Sequence, residues 1–294
     1  MLDLSQSCLV LNKPTGISSN DALSKVKIKL NQKKAGFSGT LDPLASGILI
    51  IFFNKATKLC SYFLNANKTY NAVARFGQMS DTGDLDGKII KKKNKVNLNN
   101  IDLKFLEDKY TGTIEQTPPM FSALKHKGVP LYKYARKGIT IKREPRNINI
   151  YKIELKLIDS NHMSINVVCS KGTYIRTLVE QIGNEIGSGA LLSKLERTKI
   201  NNISIENSIN LNDFLLKSFD DILNNYIINV DQLLENIDSF YISNNDKAKV
   251  LNGNKLDVDH KPCEIIKIYD EDMKFLGIGN INRNSELFPK KILV

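Results

Sequence analysis

The residues best suited to chemistry lie in Gly36-Phe37-Ser38-Gly39-Thr40-Leu41-Asp42-Pro43-Leu44-Ala45-Ser46-Gly47, which holds three glycines, one proline and one carboxylate. The stretch runs directly into the apolar Ile48-Leu49-Ile50-Ile51-Phe52-Phe53. Glycines allow positive φ or close approach to a ligand. Pro43 fixes its own φ and pushes Asp42 towards an extended conformation. The result is a shaped loop carrying one charged side chain beside a buried strand, the kind of place where catalytic residues concentrate. Asp-Pro is also an ordinary turn dipeptide, so the loop needs companions. A lone carboxylate can act as a nucleophile at an anomeric carbon, as in retaining glycosidases. It must then be ionised in a water-poor pocket, where burial raises its pKa. A nearby arginine counters that shift and orients the carboxylate. Arg176, just after Lys171-Gly172-Thr173-Tyr174 in the first turn of an expected helix, has the right chemistry, although most arginines simply face solvent. No His lies near the loop, and no Cys or Ser sits beside an evident base.

The 294 residues suffice for one large domain or two. Hydrophobic content of 41% with 25% charged residues describes a soluble globular chain. No apolar run reaches the roughly 18 residues of a membrane span, and Ile48 to Phe53 is strand-sized. Met1-Leu2-Asp3-Leu4-Ser5 lacks the basic and apolar regions of a signal peptide, so a cytoplasmic location is expected. Cys8, Cys60, Cys169 and Cys263 are scattered, as are His126, His162 and His260. Small, mostly buried thiols in a reducing compartment are expected, and no metal-ligand spacing is present.

A net charge of +11 favours a polyanionic partner, nucleic acid first, although an AT-rich genome also inflates Lys and Asn. Clustering says more. From Ser122 to Arg146 there are eight Lys/Arg residues against the single acid Glu144, with Tyr132 and Tyr134 interleaved. Prolines and glycines punctuate 118–146, which reads as a basic insertion protruding from the core.

These residues need elements to position them. Cys8–Leu11 reads as a strand, followed by a turn at Asn12–Gly16. Ser18, Ser19 or Asn20 can cap a helix with Asp21 in its first turn and Ala22, Leu23, Val26 and Leu30 on one face. Ala56, Leu59, Cys60 and Phe63 suggest another short helix. Thr69 to Phe76 alternates as a half-buried strand with Tyr70, Ala72, Ala74 and Phe76 on one face. Asp81-Thr82-Gly83-Asp84-Leu85-Asp86-Gly87 is an acidic turn that lacks the terminal Glu of a calcium loop. Lys88 to Lys95 is either a solvated strand edge or part of an RNA-facing surface. Ile101–Tyr110 reads as helix, Ile148–Leu157 and Met163–Cys169 as strands, and Tyr174–Ile186 as a helix ended by Gly187 and Gly189. Asn201–Asn212 reads as a loop entering a helix near Asp213, with helical patterns to about Asn236. From Phe240 the texture becomes short strands at Ile265–Tyr269, Phe275–Ile281 and Ile292–Val294.

Several separated motifs resemble, in order and over essentially the whole chain, the TruB-type tRNA pseudouridine-55 synthases of bacteria. They are Leu11-Asn12-Lys13-Pro14-Thr15-Gly16-Ile17-Ser18-Ser19, the Gly36–Gly47 stretch, Lys68-Thr69-Tyr70, Asp81-Thr82-Gly83-Asp84, Ser170–Thr177, Gly189-Ala190 through Leu195-x-Arg197-Thr198, and Phe275–Gly279. The resemblance implies an α+β fold with a mixed, largely antiparallel sheet flanked by helices and loops. It places a catalytic domain at 1–237 and a small β-rich, PUA-like RNA-binding domain at 238–294.

The resemblance also implies roles. Asp42 would be the essential carboxylate, attacking C1′ of the target uridine or removing the C2′ proton. The N-glycosidic bond breaks, the uracil turns and rejoins through C5, with no cofactor or metal. Tyr70 would stack on the uracil and help remove the C5 proton, and Arg176 would pair with Asp42. Tyr174 and Leu195 would line the base pocket, with Phe37, Asp84 and Lys13 at or supporting the substrate site. The partner would be the T-arm of tRNA, clasped by phosphate contacts from Lys125, Lys127, Lys133, Arg136, Lys137 and Arg143. The target base would be flipped out of its stack. A monomer is expected. The family usually has His where this chain has Phe37, which keeps a stacking face but loses a hydrogen bond and titration. Ser38 replaces the usual Thr. The alternative function is a non-catalytic RNA-binding or tRNA-folding factor, which would have no need of Asp42, Tyr70 and Arg176 together. A carboxylate glycosidase lacks a second carboxylate at the site and leaves the basic insertion unexplained.

Overall fold

The structure, a computed structural model, describes residues 4–92 and 97–294. Residues 1–3, part of the stretch examined for a leader, and 93–96, part of the Lys88–Lys95 run, lie outside the described residues. An eleven-stranded sheet forms the centre. Its main path runs Ile209–Asn210, Ser7–Lys13, Ser46–Phe53, Ala190–Ile200, Lys68–Phe76, His162–Cys169, Arg146–Leu157 and Gly112–Gln116. Most pairings are antiparallel. Ser46–Phe53 with Ala190–Ile200, and Ser7–Lys13 with Ile209–Asn210, are parallel.

Alternation explains the central strands. In Lys68–Phe76, Tyr70, Ala72, Ala74 and Phe76 are buried while Asn71 is exposed. Their buried face packs against Ile175, Leu178, Val179 and Ile182 of the helix Ile175–Glu185. Ser46–Phe53 is buried on both faces, Ile48, Ile50 and Phe52 in one cluster and Leu49, Ile51 and Phe53 in another. That explains its unbroken apolar run, which alternation does not require of a two-sided strand.

The helix Ser19–Lys29 begins on a capping box: Ser18 accepts from the Asp21 amide, and the Asp21 carboxylate accepts from the Ser18 amide. The expected helix near Ala56 is a 3-10 turn, Asn54–Leu59, leading into Cys60–Leu64. Buried Lys68 closes that short helix by donating to the carbonyls of Leu64 at 2.7 Å and Ala66 at 2.5 Å. Burial lowers its ammonium pKa to about 8.

Some elements depart from the sequence reading. Ala190–Ile200 is a central strand, although its register shifts at Leu192/Lys194 and Arg197/Lys199 blur the alternation. The helical reading up to Asn236 is corrected: after the helix Phe219–Asn225 comes the strand Ile227–Asn229, which pairs with the first strand. The last strand is Glu286–Ile292 rather than 292–294; its Pro289, Lys290 and Lys291 mask the pattern.

A second, five-stranded sheet gathers the chain from Ser239 onward, around Ile266, Ile268, Leu276 and Leu287. It includes a helix not expected from sequence, Asn244–Leu251, capped by Ser243. The outer side of this sheet joins the first through a shared core: Phe275, Ile278 and Leu293 pack with Ile50, Phe52 and Phe63. Among the described residues, no helix is long and apolar enough to cross a membrane.

Candidate active site

The strands Ala35–Ser38 and Ser46–Phe53 pair as an antiparallel hairpin, and the segment between them carries Asp42. Four contacts shape this loop. The Ser19 hydroxyl accepts from the Leu41 amide at 2.8 Å and donates to the Leu41 carbonyl at 2.9 Å. The Ala45 amide donates to Asp42 O at 3.0 Å, and Gly16 N to Pro43 O at 2.8 Å. The first helix and the Lys-Pro-Thr-Gly turn therefore fix the residues flanking the carboxylate. Lys13, fully buried, donates through Nζ to the carbonyls of Pro14 and Ile17, both at 2.8 Å, and so shapes that turn. Burial lowers the Lys13 pKa to about 8, against the opposing pull of Asp42.

Arg176 occupies the first turn of Ile175–Glu185. Buried Gln116 holds that turn: its Oε1 accepts from Tyr174 N at 2.7 Å and its Nε2 donates to Tyr174 O at 3.1 Å. The guanidinium is 4% exposed and fully engaged. Its Nε lies 2.9 Å from Asp42 Oδ2 and 3.7 Å from Asp84 Oδ2. One Nη donates to Thr82 O at 2.7 Å and the other to Phe121 O at 2.8 Å. Asp84 is fixed in turn, accepting from Thr82 Oγ1 at 2.5 Å and from the Asp86 amide at 3.2 Å. The acidic turn thus provides a brace for the arginine, and among the described residues no group of acids, His or Cys could hold a metal.

Asp42 leaves 38% of its side-chain surface open to a cleft while protein encloses its other sides. That desolvation raises the carboxyl above its ordinary pKa. Arg176 pulls it down, Asp84 pushes it up, and Lys13 pulls it down again. The cleft, about 630 Å³, is lined by Asp42, Asp84 and Arg176. Phe121, Ser122, Tyr132 and Arg136 of the basic insertion line it as well. A volume of this size accommodates a nucleoside.

The insertion is largely exposed, with a short hairpin at Lys125–His126 and Val129–Pro130 and a helical turn at Leu131–Ala135. Lys125, Lys127, Lys133, Arg136 and Lys137 face solvent, and the Arg136 guanidinium lies over the Tyr132 ring at 5.5 Å. Arg143 is half-buried and donates to Pro118 O and Ile141 O, bracing the base of the insertion.

The other expected site residues are placed as follows. Tyr70 is buried in the core beneath the loop, clustered with Leu41 and Ala45 and, like Phe37, outside the lining of the Asp42 cleft; burial raises its phenol pKa and Arg197 opposes that. Leu195 lines a neighbouring groove of about 810 Å³ with Leu44 and Asn71, and Asp86 borders both spaces. Tyr174 is half-buried beneath the Arg146 guanidinium, 5.4 Å from its ring centre. Phe37 is half-buried against the cluster of Leu9, Leu11, Ala22 and Ile51, outside the walls of the Asp42 cleft. Its neighbour Ser38 is buried with no partner for its hydroxyl.

Sequence reasoning left Arg197 without a role. It is 1% exposed and reaches under the loop: Nε donates to Ile48 O at 2.8 Å, and one Nη to Gly39 O at 2.9 Å and Ile48 O at 2.6 Å. The available signal was a cation two positions after Leu195 in a strand, which places both on one face.

Comparison with known proteins places the chain in a family. Residues 27–175 match the TruB family pseudouridylate synthase, N-terminal domain, and residues 240–293 match the pseudouridine synthase II TruB C-terminal family. The chain is 39% identical to the tRNA pseudouridine synthase B of Buchnera aphidicola subsp. Schizaphis graminum, over 97% of this chain and 95% of that protein. It is 40% identical to the protein of the same name from Wigglesworthia glossinidia brevipalpis, over 94% and 86%. Among solved structures, a Cbf5-Nop10-Gar1 complex aligns with a TM-score of 0.74 at 22% identity, covering 99% of this chain and 86% of that chain. This last likeness concerns the fold.

Proposed function

The chain belongs to the TruB family of pseudouridylate synthases, and we propose that it isomerises the T-loop uridine at position 55 of tRNA to pseudouridine. The observation that carries the reading is the pairing of Asp42 with Arg176 at 2.9 Å, in a cleft that the basic insertion also lines. A carboxylate at the sugar and a polycationic surface for the RNA then share one space.

The reaction proceeds on a flipped-out nucleotide, which costs less to extrude from a loop than from a duplex. Asp42 acts at the ribose, at C1′ or at the C2′ proton. The C1′–N1 bond breaks, the uracil rotates, and a C1′–C5 bond forms. C5 loses its proton and N1 gains one, so the product is an isomer of the substrate. Arg176 orients Asp42 and favours its ionised form against the burial that opposes it. Tyr70, beneath the loop, stacks on the seated uracil and, in its phenolate form, helps remove the C5 proton. The T-arm is held by phosphate contacts from the insertion, and the protein works as a monomer in the cytoplasm. The four free cysteines suit that compartment.

The test is tritium release from C5-labelled uridine in a tRNA transcript. Wild-type protein releases the label and Asp42→Asn does not. A wild-type protein that binds tRNA without releasing tritium would replace this reading with an RNA-binding factor.

A further inference from the structure

Arg197 is a buried cation whose charge is not balanced by an ion pair to any carboxylate among the described residues. Such a group is costly to bury, and its hydrogen bonds show what it is held for. Gly39 O and Ile48 O lie at the two ends of the Asp42 loop, and the same guanidinium binds both. The two glycines bounding that span make room for this residue. A Cβ on Gly39 would come within 3.2 Å of an Arg197 Nη, and one on Gly47 would strike the Arg197 backbone. Arg197 and Tyr70 are directly opposed across the strand pair Ala190–Ile200 and Lys68–Phe76, so the two side chains are neighbours on one face of the sheet. One rigid fork therefore binds the loop bearing Asp42 and stands beside the residue that carries the phenol beneath it.

We propose that Arg197 is a positioning residue for the isomerisation: it fixes both ends of the Asp42 loop and, as the cation opposite Tyr70 on the neighbouring strand, orients that side chain beneath the loop. The inference rests on the function proposed above. The groups that face Tyr70 are Arg197 from one neighbouring strand, Cys169 from the other and Asp42 from the loop. Lys68, on the strand of Tyr70, faces Arg197 and Cys169. Of the groups facing Tyr70, Arg197 is the one that favours the phenolate, so its removal leaves burial and the carboxylate unopposed.

The experiment compares wild type, Arg197→Lys, Tyr70→Phe and the double variant in single-turnover tritium release from pH 6 to 9.5, with RNA affinity and melting temperature measured alongside. Arg197→Lys keeps the charge and loses the fork. Its expected signature is RNA affinity within about twofold of wild type, a rate at least tenfold lower, and a rate–pH midpoint moved upward. Tyr70→Phe should cost less in the Arg197→Lys background than in wild type, because the two act together. A folded Arg197→Lys protein with wild-type rate and pH profile overturns the proposal, as does full additivity with Tyr70→Phe. A measurement that does not depend on an Arg197 variant folding is the Tyr70 ring-carbon resonance of tyrosine-labelled wild type, assigned with Tyr70→Phe. A shift displaced from that of a free phenol is expected, and a free-phenol shift overturns the proposal. Absence of tritium release from wild type removes the proposed function itself and is distinct from all of these outcomes.

Discussion

Gly47 stands against the backbone of Arg197: a Cβ at position 47 would fall 2.6 Å from the Arg197 amide nitrogen and closer still to its carbonyl oxygen. The two residues are register partners in the parallel pairing of Ser46–Phe53 with Ala190–Ile200. Gly47 also has a φ of +107°, which L side chains rarely adopt. Gly47→Ala is therefore expected to lose about 1–3 kcal/mol of stability, by urea denaturation, through overpacking alone. The strain of the positive φ adds to that.

Arg176 is held by geometry as much as by charge. Its fork reaches Asp42, Thr82 O and Phe121 O together. A lysine can supply the charge at one of these points only. Arg176→Lys is expected to lower the single-turnover rate on the order of 100-fold, the effect of a small misplacement of the reacting group. Rapid-quench assays at saturating enzyme measure it, and a loss below threefold would argue that charge alone suffices.

Asp42 should trade stability for activity. Its pKa is raised in the folded protein, so the folded state holds the proton more tightly than the unfolded chain. Stability then falls as pH rises from the ordinary carboxylate range through the raised value, and above both the penalty is constant. Asp42→Asn removes the penalty and leaves Arg176 with Asp84 and two carbonyls. At pH 8 it is expected to melt no lower than wild type while releasing no tritium. The wild-type rate should fall as pH drops through the same raised pKa. Arg176→Met, which removes the cation that lowers it, should move that midpoint upward.

The insertion should act through counterion release. Lys133, Arg136 and Lys137 are exposed on or beside the helical turn that walls the cleft. Neutralising all three is expected to reduce the slope of log K against log salt by about 2–3 units. Filter binding with a T-arm hairpin at several salt concentrations measures it. An unchanged slope would remove these residues from the RNA interface.

Legibility followed the strength of local patterning. The alternation from Tyr70 to Phe76 and a cap among Ser18, Ser19 and Asn20 are local signals, and the structure shows the strand and a cap at Ser18. Chemistry made Arg176 a candidate partner for Asp42, because a buried carboxylate needs a cation to remain ionised, and the family resemblance implied the pairing. Arg197 escaped for the opposite reason. Its partners are backbone carbonyls, which leave no mark in a sequence. The strand that carries it was hidden by two register shifts that break its period. Ile227–Asn229 was absorbed into a helical reading because three residues are too few to show a period, and only pairing with Ser7–Leu9 makes them a strand.

Phe275, Ile278 and Leu293 lie in one core with Phe52 and Phe63. The end of the chain is therefore welded to the sheet that carries the Asp42 hairpin. Cutting the protein near residue 238 would bare that apolar surface to water rather than release an independent module. Heating should accordingly give a single calorimetric transition, with the calorimetric and van't Hoff enthalpies in agreement.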